Sequence, residues 1–475
     1  MKYEAVIGLE IHAQMLTKTK MFCGCPNKFG SEPNSQTCPV CIGMPGVLPV
    51  INKKAVEFTV RTGLSLGCKI SSYSRFARKN YFYPDLPKGY QVSQYELPIC
   101  EGGSVVLNME SEQKTIELTR IHMEEDAGKN LHEGMKDFSC VDLNRAGVPL
   151  MEIVTEPQIR SAKEASAFMK KLRTILRYLD VCDGNMEEGS LRCDANVSLR
   201  PVGDTALGVK AEIKNLNSFR FVEKAIEYEI WRQEEVLKGG GRIIQETRLY
   251  NTSTGTTESM RSKEEAHDYR YFPEPDLVPI VISESILKDI EAAIVELPDE
   301  KVAKYVNNYG LPLYDAELLS SEKATALWLE EAVNKGGNPK AVSNWMMGEL
   351  MRLLNETSTR IEDCKVTPER LLNLLKLVDS GAINVKIGKT VFEDMFNTGG
   401  QAEDIVKSKG LLQMSNEGEL DGIIDGILSK FSAEVERFKA GDVKLTGFFV
   451  GEVMKQTKGK ANPKLVNEIL KKKLG

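Results

Sequence analysis

The chain has 475 residues, of which 41% are hydrophobic and 27% charged, with 62 Lys and Arg against 68 Asp and Glu for a net charge of −6. This composition is globular and excludes a disordered, collagen-like or small disulfide-stapled chain, and the slightly acidic balance excludes a purely electrostatic nucleic-acid coat. No apolar run approaches the roughly 18–20 residues needed to span a bilayer. At about 150 residues per domain, about three domains are expected.

Taken in chain order, the first element is the clearest. From Tyr3 to Met15 the sequence alternates strictly, with Tyr3, Ala5, Ile7, Leu9, Ile11, Ala13 and Met15 on one face and Glu4, Val6, Gly8, Glu10, His12 and Gln14 on the other. Because this strand begins at once, no signal peptide is expected. Ten cysteines in a chain without such a leader point to the reducing cytoplasm, and to thiols or metal rather than disulfides.

Next come Cys23-Gly24-Cys25 and Cys38-Pro39-Val40-Cys41. Two cysteine pairs on tight turns are the spacing of a closed four-thiolate zinc site, structural because no coordination position is left open; the plainer alternative is four buried thiols. The run Arg75-Phe76-Ala77-Arg78-Lys79-Asn80-Tyr81-Phe82-Tyr83-Pro84-Asp85 interleaves bases with aromatics. It suits stacking on nucleobases and, equally, a core-lining strand with snorkelling cations. Gly102-Gly103-Ser104 reads as a hairpin turn.

Short strands are predicted near 104–109, 114–123, 140–154, 191–200 and 208–216. One helix is predicted from the capping box Ser161-Ala162-Lys163-Glu164 through Leu179, and another over 217–237, stopping at Gly239-Gly240-Gly241. Acids recur on the strands: Glu124-Glu125-Asp126, Glu152 within an apolar run, and Asp194 alternating with Arg192, with Lys210, Glu212 and Lys214 on the next strand. Carboxylates and cations on one sheet face are what a Mg–nucleotide site needs; a solvated, salt-bridged face is the alternative for Asp194 and Lys210. Glu10 and His12 side by side fit either a metal site or a hydrogen-bonded structural histidine.

Beyond about residue 295 short helices take over, opening at Ser321-Glu322, Asn338-Pro339 and Thr367-Pro368. The last 21 residues hold seven lysines (455, 458, 460, 464, 471, 472, 473) against one acid, Glu468, a local net charge of +6. Gly388-Lys389-Thr390 is not a phosphate loop, because Ile383 stands where its first glycine is required. No GxSxG elbow and no Gly/Ser-rich amidase stretch are present, and four histidines give little support to a Cys–His hydrolase. The fold class is therefore α+β, with the divisions 1–294, 295–407 and 408–475.

Five segments together resemble one family. They are Val6-Ile7-Gly8-Leu9-Glu10-Ile11-His12, Arg78 to Asp85, His122-Met123-Glu124-Glu125-Asp126-Ala127-Gly128-Lys129, Met186 to Asn196, and Tyr269 to Pro279. In order, and over nearly the whole chain, they resemble GatB, the tRNA-binding subunit of the tRNA-dependent amidotransferase GatCAB. The related GatE carries a large insertion resembling part of an aspartyl-tRNA synthetase, for which 475 residues leave no room.

The resemblance implies an N-terminal cradle of glutamine-synthetase-like character with a mainly antiparallel sheet, an all-α helical domain and a small α-helical tail that binds tRNA, here through Lys455, Lys458, Lys460 and Lys464. It implies a cytoplasmic, ATP-dependent carbon–nitrogen ligase that phosphorylates the side-chain carboxylate of Glu-tRNA(Gln) or Asp-tRNA(Asn) and amidates it with ammonia from glutamine hydrolysed in GatA. GatC ties the other two proteins together, and the non-discriminating synthetase is a further partner. His12, Glu125 and Glu152 resemble the Mg²⁺ ligands, with Glu10, Lys79, Glu124 and Asp194 the rest of the pocket. Strict alternation, however, puts Glu124 and Glu125 on opposite strand faces. The rival readings are a non-catalytic zinc-containing tRNA scaffold, which the acid cluster opposes, and a free-standing ligase using ammonium, which leaves the basic C-terminal part unexplained.

Overall fold

A computed structural model describes residues 2–109, 112–131, 138–262, 269–412, 417–457 and 461–475. It is mixed α and β, and it divides into two compact units, Met1–Leu297 and Pro298–Gly475.

The first unit is organised by its first strand. Tyr3–Gln14 lies near the middle of a thirteen-stranded sheet, antiparallel to Pro149–Thr155 on one side and to Leu191–Pro201 on the other. Beyond Pro149–Thr155 come Gln113–Glu125, Tyr90–Ser93, Ala77–Asn80 and, at the edge, Phe272–Pro273. Beyond Leu191–Pro201 come Ala211–Leu216, Glu246–Asn251 and Thr256–Ser262. The pairing of Ala211–Leu216 with Glu246–Asn251 is parallel, the helix Phe219–Lys238 making the crossover that a parallel pair requires.

The alternation of the first strand decides which face is covered. Ile7, Leu9, Ile11 and Ala13 are fully buried, in one core with Met151 and Ile153 of the next strand and Leu191, Ala195 and Val197 of the other neighbour. The cover is the helix pair Ala162–Tyr178 and Phe219–Lys238, which contributes Phe168, Met169, Leu172, Leu176, Val222 and Ile226 to the same core. Burying a Leu- or Phe-sized side chain contributes roughly 1.5–3 kcal/mol, so this face is the principal stabilising surface and leaves the opposite face to polar groups. Ser161 caps its helix as expected, accepting from the Glu164 N–H at 3.2 Å, while the Glu164 carboxylate accepts from the Arg160 N–H at 2.9 Å.

Three features depart from the sequence reading. The predicted 140–154 strand is broken into Cys140–Asp142 and Pro149–Thr155. A further helix, Lys53–Ser65, runs through a β-branched stretch and is started by Asn52, whose side chain accepts from the Lys54 N–H. Gly102-Gly103 is not a hairpin turn: Cys100–Glu101 and Ser104–Asn108 both pair with the same long strand, Gln113–Glu125, and the two glycines, at φ +67° and +96°, make the bend between them.

The second unit is helical throughout its described residues. Asn338 and Thr367 cap helices that begin with proline, as the sequence reads. Gly388-Lys389-Thr390 lies inside the helix Val385–Thr398 and forms no loop. A core of its own, with Leu420, Ile424, Phe449, Val453, Val466 and Leu470, gathers the last helices.

Candidate functional site

The polar face of the sheet floors a cleft of about 620 Å³. Register brings its groups together. Arg192, His12, Glu152 and His122 stand directly opposite one another on four successive strands, and Asp194 and Glu10 form the next row, two residues along. Glu124 projects from the same face of the Gln113–Glu125 strand.

The result is a tight mixed cluster. His12 Nε2 lies 3.6 Å from Glu152 Oε2 and 3.7 Å from Glu124 Oε1, and His122 Nε2 lies 3.2 Å from Glu152 Oε2. Burial opposes charge on His12, but Glu152, Glu124 and Asp194 outweigh it and raise its pKa to about 9. Burial pushes the Glu124 carboxyl up, with repulsion from Glu152 adding to it. Glu152 is held well below the usual range despite its burial, because both imidazoles face it. Lys79 lines the cleft with its charge sustained, against burial, by the Glu124 and Glu152 carboxylates.

The surrounding polar groups are themselves anchored. Asn196 donates to Glu10 Oε1 at 2.8 Å, and Lys214 meets Asp194 Oδ2 at 2.5 Å. Arg192 donates to Asp126 Oδ2 at 2.8 Å, an oxygen that Gln14 also reaches at 2.8 Å.

One donor atom each from His12, Glu124 and Glu152 lies within 4.8 Å of the others, a separation one cation can bridge. Two carboxylates suit a hard cation such as Mg²⁺, which takes its remaining ligands from phosphate and water oxygens; the imidazole is the softer member of the set. Glu125 is not part of this group. It points through the sheet, where it is buried, accepts from the Val92 N–H at 2.9 Å and pairs with Lys88. Of the expected trio His12, Glu125 and Glu152, the structure brings His12 and Glu152 together with Glu124, and the register of Gln113–Glu125 against Pro149–Thr155 turns Glu125 to the other face.

The four cysteines come together as well. The sulfurs of Cys23, Cys25, Cys38 and Cys41 lie within 4.8 Å of one another. Cys41 Sγ accepts from the Cys38 N–H at 3.1 Å, and Lys20, fully buried, brings Nζ to 3.7 Å from the same sulfur. Hydrogen bonding from Cys23 outweighs burial and, with the Lys20 charge, holds the Cys41 thiol below its usual range while the Cys23 thiol is pushed up, so the pair shares one proton. With bonds of about 2.3 Å, tetrahedral sulfurs stand roughly 3.8 Å apart, so the cluster fits a zinc ion.

Residues 5–288 match the family model of the GatB/GatE catalytic domain, and residues 327–474 match that of the GatB domain. The chain belongs to the GatB/GatE family. A protein of Thermodesulfovibrio yellowstonii, named as a subunit of aspartyl/glutamyl-tRNA(Asn/Gln) amidotransferase, is 62% identical to it over 99% of both chains. Proteins of the same name from Geotalea uraniireducens and Thermoanaerobacter sp. are 57% and 56% identical, each over the full length of both chains.

In this GatB/GatE-family chain the cleft lies wholly within the first matched region. Of the tail lysines, Lys455 is 79% exposed with Glu452 3.7 Å away. Lys464 belongs to the helix Pro463–Leu474, and Lys458 and Lys460 lie outside the described residues. Lys473 is taken up by Asp421 and Asp425 at 2.8 and 2.6 Å, so part of the local positive charge is neutralised within the tail. No described helix is long and apolar enough to cross a membrane. Sequence reasoning passed over His122, Tyr95, Lys88 and Lys20. His122 alone carried a signal, since it shares a face with Glu124 two residues on.

Proposed function

We propose that the chain is the component of a tRNA-dependent amidotransferase that activates the side-chain carboxylate of misacylated Glu-tRNA(Gln) or Asp-tRNA(Asn) with ATP and exchanges it for an amide, giving Gln-tRNA(Gln) or Asn-tRNA(Asn). The observation that carries this reading is the convergence of His12, Glu124 and Glu152 with Lys79 in one cleft of a GatB/GatE-family chain. A carboxylate is a poor electrophile. One of its oxygens attacks the terminal phosphorus of ATP and ADP leaves; ammonia then attacks the acyl carbon of the mixed anhydride, and inorganic phosphate leaves with the C–O bond electrons.

Catalysis of both steps is mainly charge neutralisation and positioning. Mg²⁺, when bound, supplies neutralisation of phosphate charge, and His12, Glu124 and Glu152 would hold it. Lys79 presents a fixed positive charge at the same place, suited to a phosphate oxygen. Lys214 holds Asp194 and Asn196 holds Glu10, orienting carboxylates for the incoming amine and the aminoacyl group. A non-catalytic scaffold has no use for buried carboxylates facing a polyanion, which they repel unless a cation lies between.

The remaining assignments belong to the same proposal. The amide donor is glutamine, hydrolysed in GatA, with GatC and the non-discriminating synthetase as further partners in the cytoplasm. The sheet unit is the glutamine-synthetase-like cradle, and the helical unit divides near residue 408 into a helical domain and a tail that holds tRNA through Lys455, Lys458, Lys460 and Lys464. The four cysteines hold a structural zinc. The test is trapping with hydroxylamine in place of ammonia. The assembled enzyme with ATP and Glu-tRNA(Gln) or Asp-tRNA(Asn) should yield the side-chain hydroxamate, and no hydroxamate with either tRNA would overturn the reading.

A further inference from the structure

The floor and the wall of the cleft differ in kind. The floor is carboxylates, imidazoles and cations, whereas one wall is tyrosine. Tyr269 meets Tyr81 and Tyr271 edge-on with ring centroids 6.1 Å apart in each case, and Tyr271 lies flat on Tyr95, centroids 4.1 Å apart and planes 6° from parallel. A strap from the far end of the unit builds this wall. Phe272 and Pro273 pair with Arg78 and Ala77, Arg78 donates twice to the buried Glu274 at 2.8 Å, and the Asn80 amide donates to the Tyr269 and Arg270 carbonyls at 3.1 and 2.8 Å. A bidentate ion pair to a buried carboxylate and a backbone pairing fix the rings in place.

The array has an inner and an outer end. At the inner end Lys79 Nζ lies 4.7 Å from the Tyr269 ring centroid and faces Glu124 and Glu152. At the outer end Tyr95 is 37% exposed.

We propose that the Tyr95–Tyr271 stack is a platform for a purine base, which extends the stack on its open side. This rests on the proposed function and deepens it. Both substrates of that reaction carry an adenine, one at the acceptor end of the tRNA and one in ATP, and a floor of charged groups gives a flat base little to lie on. Aromatic stacking of this kind needs a ring and not a hydroxyl, and it is indifferent to hydrogen-bonding edges.

The test uses 2-aminopurine, whose fluorescence is quenched on stacking, with the full chain in its assembled complex. One probe is an acceptor-stem RNA hairpin with 2-aminopurine as its 3′-terminal base; the other is 2-aminopurine riboside triphosphate. Quenching of the RNA probe assigns the platform to the acceptor end, and quenching of the nucleotide assigns it to ATP; either supports the proposal. Tyr95→Ala should abolish that quenching and weaken binding of the same probe on the order of tenfold, and Tyr95→Phe should restore both. No quenching of either probe, or undiminished quenching in Tyr95→Ala, overturns it. Failure of the parent reading would appear separately, as absence of hydroxamate from the wild-type enzyme, which involves neither probe.

Discussion

The two candidate metal clusters of this molecule are assembled in opposite ways. Cys23, Cys25, Cys38 and Cys41 lie within nineteen consecutive residues and are brought together by local turns. His12, Glu124 and Glu152 come from three strands and meet only because the sheet sets those strands side by side in one register. A local cluster therefore survives small changes elsewhere in the sheet, whereas a one-residue slip of any one strand would turn its side chains to the other face and dismantle the long-range cluster. Neighbouring acids make the point: Glu124 faces the cleft, and Glu125, one residue on, faces Lys88 on the far side.

The largest effect should come from breaking the long-range cluster. Glu152→Gln or Glu124→Gln should lower ATP-dependent activation of aminoacyl-tRNA by about 100-fold or more, the scale on which a fixed electrostatic group acts in a transition state, measured as the rate of hydroxamate formation. Glu125→Gln should behave differently. It leaves the Lys88 charge buried without its partner, which costs about 3–5 kcal/mol and should appear as a lower unfolding midpoint, while metal binding in the cleft persists. The local cluster should yield a purely structural loss: Cys38→Ser with Cys41→Ser should remove about one equivalent of zinc by elemental analysis and lower the unfolding midpoint, since metal-binding free energy is also folding free energy. Activity per folded molecule, assayed well below that midpoint, should be retained. The smallest effect is expected farthest from the sheet. Lys455→Ala, at an exposed side chain, should raise the KM for tRNA by about twofold and reduce the slope of its logarithmic salt dependence by about 1.

What was legible in the sequence follows the same division. The first strand, the cysteine turns, Ser161, Asn338 and Thr367 as caps, and the helical character of the second half were all readable, because each is written within a dozen or so residues. The strand Tyr90–Ser93 was not, being four residues long, and Ala77–Asn80 was legible only as one of two equal readings, since Arg78-Lys79-Asn80 is polar on both faces. The helix Lys53–Ser65 was hidden by Val56, Thr59, Val60 and Thr62, β-branched residues that weaken a helical signal until tertiary packing decides. Within the cleft, alternation alone separated Glu124 from Glu125, but which of them faces His12 depends on the register of Gln113–Glu125 against Pro149–Thr155, a relation between segments that no local pattern contains. The tyrosine wall was half legible. Tyr81 and Tyr269 stood out in aromatic runs, whereas Tyr95, alone between Gln94 and Glu96, gains its partner only when the 269–276 segment returns to the sheet edge.

The proposed function turns on one cation held by His12, Glu124 and Glu152. Electron paramagnetic resonance titration of Mn²⁺, standing in for Mg²⁺, into the full chain tests it directly. The wild-type protein and Glu125→Gln should bind one Mn²⁺ with similar affinity, and Glu124→Gln and Glu152→Gln should each weaken that binding by about tenfold or more. Loss of Mn²⁺ binding in Glu125→Gln, with wild-type binding in Glu124→Gln, would contradict it.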